Sequence, residues 1–373
     1  MGILGGAARV RAFRLHRVAA SYDPGMPTVE LREIVTEADR QAVLALRRAP
    51  GQERYLGSMA SHFEDADDEP RARPHPWAVH DATTGELVGF AMISDGIPEP
   101  IDDDLVGPYY LWRLLIDERF QGRGYGQATL DAVVRYLGSR PGADVLFTSC
   151  GDGEGSPKGF YLRYGFRETG VVKWDEEVFA LDVGARMATV QKSAFRRRLM
   201  AERRSMPDRE ERVERLGEAL RLWLAGRAET LIGAYWPIRG EFDPLPVLGE
   251  WLAREPGRDV ALPVIDPVTD AMTFHAWWPG CPMVSDRYGI PMPDGTERVA
   301  PQLLLVPCVG FGPGGVRLGY GGGYYDRTLG AMAAADRPAT LGIAFAHGWL
   351  PTVAVLPHDI ALDGILTEDG PVG

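Results

Sequence analysis

The densest group of residues able to do chemistry lies near the C-terminal end of the chain, between Gly315 and Arg327. Five glycines fall within nine residues, at positions 315, 319, 321, 322 and 323. Such a run suits a loop around phosphate groups better than a regular helix or strand, because glycine lets backbone amides approach an anion closely. Arg317 would neutralise phosphate charge, and Asp326 offers the hard oxygen ligands that magnesium prefers. The segment therefore predicts a site for a magnesium-bound nucleotide.

A second glycine-rich segment, residues 121–127 (QGRGYGQ), follows an apolar strand and precedes an amphipathic helix. The free amides at a helix start attract an anion, so the segment predicts binding of a diphosphate-bearing cofactor. It lacks the Lys-Ser/Thr pair of a P-loop, and its glycine spacing differs from that of a dinucleotide fold. Taken alone, an ordinary glycine turn remains the alternative.

Residues 121–126, with the strand before them and the aromatic segment 160–166 (FYLRYGF) after them, resemble the acetyl-CoA signature of the GNAT acetyltransferase superfamily. The resemblance covers residues 27–183. It implies that the pyrophosphate binds the backbone amides of Arg123, Gly124, Gly126 and Gln127, and that the pantetheine arm pairs with the strand at Leu115 and Ile116.

The same resemblance implies that Tyr161 is the general acid. A phenol with a pKa of about 10 is close enough to a thiol to protonate the departing thiolate. The alternative for Tyr161 is a tyrosine packed in the core, and Tyr164 is the less favoured acid.

The acceptor amine is less clearly indicated. Residues 109–117, with residues 52–61 and 74–78, resemble the diamine and polyamine acetyltransferase branch. A polyamine needs carboxylates for its ammonium groups. The candidates are the acids of two segments: Glu64, Asp65, Asp67, Asp68, Glu69, Asp102, Asp103 and Asp104. Solvated loop charges are the alternative, so a polyamine and another small amine both stay open.

The C-terminal segment, GVRLGYGGGYYDR, closely resembles the G-x-R-x-G-x-G-x-G-Y-Y-D motif of the 5-formyltetrahydrofolate cyclo-ligase family. Residues 192–196 (KSAFR), 235–241 (YWPIRGE) and 357–363 (PHDIALD) resemble further segments of that family, so the resemblance spans residues 188–370. It implies ATP contacts at Lys192, Arg196, Arg317, Gly319, Tyr320, Gly321, Gly322, Gly323, Tyr324 and Tyr325. It implies folate contacts at Trp236, Glu241, Tyr320 and Tyr324, and magnesium ligands at Asp326 and Asp359.

The chemistry implied by this family starts with phosphorylation of the formyl oxygen of 5-formyltetrahydrofolate by ATP. The second folate nitrogen then attacks the activated carbon, and phosphate leaves to give 5,10-methenyltetrahydrofolate. No protein nucleophile is needed. Catalysis would come from positioning and from charge neutralisation by magnesium, Lys192 and Arg317. Of these, Arg317 is the residue predicted to be catalytic.

The composition limits the class of protein. A length of 373 residues predicts two domains. The net charge of −12 argues against a nucleic-acid partner, and no apolar run reaches the ~18 residues of a membrane span. Cys150, Cys281 and Cys308 lie far apart, which indicates buried cysteines in a reducing compartment. We therefore expect a cytoplasmic enzyme that acts on small molecules, with no nucleic-acid or membrane partner and an oligomeric state that the sequence does not define.

The elements that must position these residues alternate between strands and helices, which predicts an α/β fold. In the N-terminal part we expect a GNAT-type mixed sheet with flanking helices. Its strands are predicted at residues 29–34, 77–80, 87–94, 109–116, 145–149 and 177–181, and its helices at 37–47, started by Thr36, and 126–137. In the C-terminal part we expect a mostly parallel sheet of the cyclo-ligase type. Its helices are predicted from Lys192 past Arg204 and at 209–224, and its strands at 231–235, 260–264, 303–306 and 340–346.

The predicted domain limits are 27–183 for the acetyltransferase and 191–373 for the cyclo-ligase, with a linker at 184–190. Residues 1–26 are predicted to be a disordered extension. A targeting segment, or translation that starts at Met26, are the alternatives for that extension.

Three alternative functions stay open. The N-terminal half could sense acetyl-CoA without turnover, and the C-terminal half could bind reduced folate without catalysis. The basic helix at 192–204 could instead be a nucleic-acid-binding module, which the negative net charge disfavours.

Overall fold

A computed structural model describes residues 26–98, 105–266 and 271–372. In this part the chain forms two large sheets, of seven and eight strands, and one long helix follows the first sheet and precedes the second. Residues 1–25 of the predicted extension, and the candidate carboxylates Asp102, Asp103 and Asp104, lie outside the described residues.

The first sheet is mixed, as predicted. Its elements are β1 (Val29–Glu33), α1 (Glu37–Leu44), α2 (Met59–Asp68), β2 (Pro74–Asp81), β3 (Leu87–Asp95), β4 (Tyr109–Ile116), α3 (Tyr125–Leu137), β5 (Val145–Cys150), α4 (Lys158–Tyr164), β6 (Arg167–Lys173) and β7 (Glu176–Asp182). The strand order is β1-β2-β3-β4-β5-β7-β6, and β4–β5 is its single parallel pair within the described chain. The sequence did not predict α2, α4 or β6.

Local sequence signals account for the two helices that were predicted. Thr36 caps α1 through a capping box with Asp39, which satisfies free amides of the first turn. The apolar residues of α3 recur at helical spacing. The face formed by Leu130, Val133, Val134 and Leu137 is fully buried against the sheet.

β4 and β5 separate soon after they begin to pair. Their ladder contains the pair Tyr110 and Phe147 alone, and the Thr148 hydroxyl donates to the Leu111 carbonyl at 3.1 Å. On the other edge of β4, the register against β3 shifts so that Trp112 becomes an extra, bulged residue. The C-terminal half of β4 is therefore turned away from β5, and a wedge opens between the two strands.

The prediction that the basic helix begins near Lys192 is wrong. Helix α5 runs from Val183 to Arg204 without interruption and contains all of residues 184–190. Asp182 starts it, because its side chain accepts a hydrogen bond from the Ala185 amide at 2.8 Å. Val183 and Val190 pack in the core of the first sheet, whereas Leu199 and Met200 pack against the second part of the chain. The residues predicted as a linker thus form a rigid helical connection.

The second sheet is mostly parallel, as predicted. Its part of the chain contains α6 (Arg209–Ala225), β8 (Leu231–Gly233), α7 (Leu245–Arg254), β9 (Asp259–Ile265), β10 (Met272–Trp277), β11 (Met283–Ser285), β12 (Pro291–Pro293), β13 (Arg298–Val299), β14 (Leu303–Pro307), β15 (Gly310–Phe311), β16 (Arg317–Leu318), α8 (Tyr324–Gly330), β17 (Ala339–Ile343), β18 (Gly364–Thr367) and β19 (Gly370–Val372). The sheet order is β13-β10-β9-β8-β14-β17-β18-β19, in which the five strands from β9 to β18 are parallel and the outer strands antiparallel. Its apolar runs are buried because helices cover the parallel strands.

The three cysteines are free and buried, which confirms their predicted role as small core residues. Over the described ranges, no helix combines the length and the hydropathy of a transmembrane span.

Candidate functional site

The glycine-rich loop of the first sheet joins the end of β4 to the start of α3. Gly122 and Gly124 have φ values of 72° and 88°, which non-glycine residues rarely adopt, and Gly124 is the N-cap of the helix. The Gln121 side chain donates to the Ile116 carbonyl at 2.8 Å, so the loop is tied to the strand that borders the wedge. Gly126 packs closely on Phe160, since a Cβ there would lie 3.3 Å from its ring. The structure thus brings residues 123–127 next to Leu115 and Ile116, with amides available for a diphosphate.

Tyr161 lies in α4, and its ring packs against Phe160 and Phe166. It is 7% exposed, and burial raises the pKa of its phenol, while a hydrogen bond with Thr148 acts in the opposite direction. Thr148 is the residue at which β5 leaves β4. A protonated phenol therefore lies at the vertex of the wedge, which fits the general-acid role implied by the resemblance.

Tyr164 is engaged elsewhere. Its hydroxyl donates to Asp131 Oδ1 at 2.9 Å, and the Arg186 guanidinium lies 3.8 Å from the centre of its ring. Arg186 also bonds Asp131 at 2.7 Å. Since this network occupies the hydroxyl, the geometry favours Tyr161 over Tyr164 as a proton donor.

The acids proposed to hold ammonium groups lie in or next to α2 and already face arginines. Asp65 bonds Arg113 at 2.8 Å, Glu69 bonds Arg71 at 2.8 Å, and Asp67 lies 3.9 Å from Arg40. Glu64 and Asp68 are exposed. The arrangement favours the interpretation of these residues as solvated surface charges.

A carboxylate that was not predicted from the sequence lies beside the wedge. Glu176 accepts a hydrogen bond from Ser149, whose Oγ lies 2.6 Å from the Tyr110 hydroxyl. Tyr110 forms the single β4–β5 pair, so this polar chain borders the wedge. The antiparallel pairing of β5 with β7 places Ser149 and Glu176 on one face. The predicted strand began at residue 177 and its pairing with β5 was not predicted, so this contact could not be inferred.

In the second part of the chain, the motif segment is more regular than predicted. Arg317 and Leu318 form strand β16, and Tyr324 begins helix α8, so the irregular loop is confined to residues 319–323. The Arg317 side chain donates to Asp326 Oδ1 at 2.8 Å and to the Ile360 carbonyl. Asp326 Oδ1 also accepts the Ile360 amide at 3.0 Å. The motif is thereby joined to the segment that carries Asp359.

Lys192 is buried and its ammonium bonds the Asp359 carboxylate. One turn further along α5, Arg196 donates to the Gly319 carbonyl at 2.7 Å. Burial lowers the pKa of Arg196 to about 10, against the attraction of Asp359 and Asp326. The long helix thus supplies two cations to the phosphate loop, and the structure brings both predicted ATP contacts together with both predicted metal ligands.

A magnesium ion fits the chemistry of this donor set. Asp326 and Asp359 provide hard oxygens, and no three His, Cys, Asp or Glu side chains within residues 26–98, 105–266 and 271–372 converge to hold a metal. Two carboxylates without a complete protein cage are the usual ligand set for magnesium that is shared with substrate phosphates. Each carboxylate already has a cation beside it, Arg317 or Lys192, that could contact the same phosphates.

Arg203, to which no role was assigned from the sequence, is buried. It donates to the Tyr320 hydroxyl at 3.0 Å and to the Cys308 carbonyl at 2.7 Å. It therefore fixes a predicted substrate-contacting tyrosine. Its residue type does not distinguish it from Arg197, Arg198 and Arg204 on the same helix. Its spacing of seven residues from Arg196, which places both arginines on one helix face, was a signal that the sequence offered.

At the predicted folate contact Glu241, two buried polar atoms have no hydrogen-bond partner in the described part of the chain. They are Glu241 Oε1 and the hydroxyl of Tyr325, which was predicted to contact ATP. Glu241 Oε2 accepts the Ile238 amide at 2.8 Å, which fixes the carboxyl group. Unpaired buried polar atoms are costly, so a polar ligand at this position would satisfy them. Both residues line a cavity of about 1170 Å³ together with Trp236, Tyr320 and Asp326.

This cavity is large enough for two substrates. It contains Lys192, Arg196, Arg317, residues 319–327 and Asp359, and it continues to Gln127, Phe160 and Tyr164 of the first sheet. The predicted ATP, metal and folate contacts therefore surround one space.

Burial raises the pKa of Glu241 from 4.5 to about 7. The folded protein then binds this proton more tightly than the unfolded chain, so Glu241 should destabilise the fold increasingly as the pH rises from about 4.5 to about 7. We expect Glu241→Gln to remove this dependence. The free energy of unfolding of the variant relative to wild type should increase by roughly 2 kcal/mol between about pH 5 and about pH 8. Urea unfolding at several pH values measures it, and parallel pH profiles would contradict it.

Gly315, the first glycine of the motif, is required for packing rather than for phosphate. Its φ is 74°, and a Cβ there would overlap the carbonyl oxygen of Leu362. We expect Gly315→Ala to lower the free energy of unfolding by more than about 2 kcal/mol, because backbone strain and a clash with backbone add. The matched control is Gly314→Ala, which has a similar φ of 66° and open space around its Cβ. It should cost only about 1 kcal/mol. Equal losses in urea unfolding would show that the Leu362 contact is unimportant.

Comparison with known proteins gives a separate match for each half. Residues 188–368 match the model of the 5-formyltetrahydrofolate cyclo-ligase family, and residues 40–166 match that of the Acetyltransferase (GNAT) family. Over 143 residues the chain is 32% identical to the spermine/spermidine N(1)-acetyltransferase of Bacillus subtilis. This match covers 38% of this chain and 91% of that protein. Over 192 residues the chain is 31% identical to the 5-formyltetrahydrofolate cyclo-ligase of Mycolicibacterium smegmatis. This match covers 48% of this chain and 95% of that protein. Among solved structures, the 5,10-methenyltetrahydrofolate synthetase of Aquifex aeolicus is similar at a TM-score of 0.41 and 27% identity, over 48% of this chain and 91% of that one. The two family models and the two sequence relatives confirm both resemblances inferred from the motifs.

Proposed function

Because the chain belongs both to the GNAT acetyltransferase family and to the 5-formyltetrahydrofolate cyclo-ligase family, we propose that it is a bifunctional enzyme. Its C-terminal part converts 5-formyltetrahydrofolate to 5,10-methenyltetrahydrofolate with ATP and magnesium. Its N-terminal part transfers an acetyl group from acetyl-CoA to a small amine. We place both activities in the cytoplasm.

The observation that carries the cyclo-ligase proposal is the arrangement of two cation–carboxylate pairs and two unpaired buried polar atoms around one cavity. A bound magnesium ion would supply positive charge that neutralises the phosphates. Asp326 and Asp359 would hold it. Lys192 and Arg317, beside these carboxylates, would donate to the transferred phosphate and stabilise the charge that develops on it.

The folate is positioned at the other end of the cavity. Glu241 and Tyr325 present their free polar atoms to the pterin, and Trp236 and Tyr320 line the space beside it. Because Glu241 is fixed by the Ile238 amide, and Tyr320 by Arg203, the site is organised before the substrate arrives. Catalysis then requires that the formyl oxygen lie next to the terminal phosphate, with no protein nucleophile.

The acetyltransferase proposal is supported by the wedge between β4 and β5, the loop at its wide end and Tyr161 at its vertex. The loop amides would bind the pyrophosphate, and Leu115 and Ile116 would pair with the pantetheine arm. Tyr161 would give its proton to the thiolate as the carbon–sulfur bond breaks. We propose a polyamine or related small amine as acceptor, in line with the activity named for the Bacillus subtilis relative.

Two assays on the full chain test the two halves. The first follows the absorbance of methenyltetrahydrofolate with 5-formyltetrahydrofolate, ATP and magnesium, and product formation should stop when magnesium is removed. The second follows release of the CoA thiol from acetyl-CoA with spermidine or putrescine. Folate binding without ATP turnover would reduce the C-terminal half to a binding module, and acetyl-CoA binding without transfer would reduce the N-terminal half to a sensor.

A further inference from the structure

The hairpin between β6 and β7 has an unusual turn. Its two turn residues, Trp174 and Asp175, have φ values of 52° and 62°. Two-residue turns with positive φ at both positions favour asparagine and glycine, and another residue there costs on the order of 1 kcal/mol. Trp174 is nevertheless 53% exposed, so burial in the core does not account for it. Strain that is retained in this way is common at functional sites.

The turn places the Trp174 indole beside the wedge. Its ring centre lies 6.1 Å from that of Tyr110, at an interplanar angle of 75°. Tyr110 forms the single pair that joins β4 to β5. An exposed aromatic face therefore stands next to the place where the acetyl group would be delivered.

A carboxylate lies at the same place. Ser149 donates its hydroxyl proton to Glu176 Oε2, so the Ser149 oxygen accepts the proton of the Tyr110 hydroxyl, 2.6 Å away. Burial raises the pKa of Tyr110 to about 12, which keeps this phenol protonated. The chain from Tyr110 through Ser149 holds the Glu176 carboxylate in one orientation and lets it act as a proton acceptor.

Tyr161 and Glu176 approach the wedge from opposite faces of the sheet. Tyr161 lies in α4, on the face of Thr148 and Cys150, whereas Ser149, between them in sequence, points to the other face. The charge of Glu176 contributes to the raised pKa of Tyr161, so the two groups are within electrostatic reach through the wedge. The acetyl group would therefore lie between the two residues. Tyr161 is the proton donor for the leaving thiolate, and Glu176 is the proton acceptor for the attacking nitrogen.

We propose that Trp174 and Glu176 form the acceptor site and that the acceptor is a primary alkyl ammonium. This assignment rests on the proposed acetyltransferase function. The indole covers the cation, and the carboxylate binds it and removes one proton. The free amine then attacks the acetyl carbonyl, a carbon–nitrogen bond forms and the carbon–sulfur bond breaks. Tyr161 protonates the thiolate, and the second proton lost by the nitrogen restores Tyr161. The products are the acetamide, CoA thiol and one proton released from Glu176.

The test compares Glu176→Gln with Glu177→Gln in the full chain, with putrescine and spermidine as probes. Glu177 is the next residue of β7 but is held on the other face by Lys158, at 2.6 Å, and Lys158 keeps Glu168 as a second partner. Glu176→Gln should lower kcat/KM for acetylation by about 100-fold, and Glu177→Gln should leave it near the wild-type value.

Trp174→Ala should raise the KM for the amine about 5-fold with little change in kcat. Trp174→Phe, which keeps an aromatic ring, should restore most of the affinity for the amine.

A series of primary amines of decreasing basicity separates proton transfer from a structural role. The defect of Glu176→Gln should shrink as the amine becomes less basic, because a neutral amine needs no deprotonation before attack. A defect of the same size for every amine, or equal defects in the Glu176 and Glu177 variants, would overturn the assignment. The rise in melting temperature caused by acetyl-CoA should be the same in all variants, which reports on folding. If wild-type protein acetylates no amine, the acetyltransferase function itself fails, and this assignment fails with it.

Discussion

Asp326→Asn is expected to lower the rate of methenyltetrahydrofolate formation by at least about 100-fold. The carboxylate lies between Arg317 and the Ile360 amide, and it is one of the two oxygen donors available to magnesium at the phosphate loop. Asparagine keeps a carbonyl oxygen for both hydrogen bonds but removes the charge. The fold should therefore survive while the affinity for magnesium and the stabilisation of phosphate charge are lost.

The acetyltransferase activity of the same preparation is the internal control for Asp326→Asn, because its predicted residues belong to the other sheet. Asp336→Asn, which removes an exposed carboxylate away from the cavity, is the matched surface control. The measurement is the absorbance of the product at saturating and at limiting magnesium. A variant that recovers full activity at high magnesium would show that Asp326 contributes affinity alone, and an unchanged rate at limiting magnesium would contradict its role as a ligand.

Tyr161→Phe is expected to lower acetyl transfer by about 10² to 10⁴, the usual contribution of a positioned acid. The ring and its packing on Phe160 and Phe166 are retained, so the loss should appear in kcat rather than in the binding of acetyl-CoA. Burial raises the pKa of the Tyr161 phenol, which is consistent with a group that holds its proton until the thiolate forms.

Tyr164→Phe is the matched control for Tyr161→Phe, because it removes a hydroxyl from the same helix. Asp131 would keep Arg186 as a partner, so the effect should be limited to stability. Thiol release measures both variants, and the cyclo-ligase rate should be unchanged in each. If Tyr164→Phe were the slower enzyme, the assignment of the acid would have to be reversed.

The helical connection between the two sheets bears on why the activities share a chain. Val190 packs with the first sheet, while Lys192, two residues later, bonds the cyclo-ligase carboxylate Asp359. The cation proposed to serve the cyclo-ligase reaction is therefore held by a helix that also packs in the core of the other half. Residues 184–190, predicted as a linker, lie within this helix.

The two families could be inferred from the sequence alone, and its motifs predicted candidate residues for both sites. Residues 121–127 and 315–327 could be interpreted because phosphate binding imposes local requirements, glycines for close approach and charged groups at fixed spacing. The strand β4 and the apolar face of α3 were also visible, since hydrophobic periodicity is a local property. Asp326 and Asp359 were identified from motifs alone, and the structure brings both to the same cavity.

The partners of those residues became visible in the folded structure. The Lys192–Asp359 pair joins positions 167 residues apart, and the overlap that forbids a side chain at Gly315 involves Leu362. The raised pKa of Glu241 depends on burial by distant elements, and the proposed role of Glu176 depends on the pairing of β7 with β5, which brings it to Ser149. Sequence patterns report the local preferences of the chain, whereas pairing, burial and proton affinity are set by contacts between segments that meet only after folding.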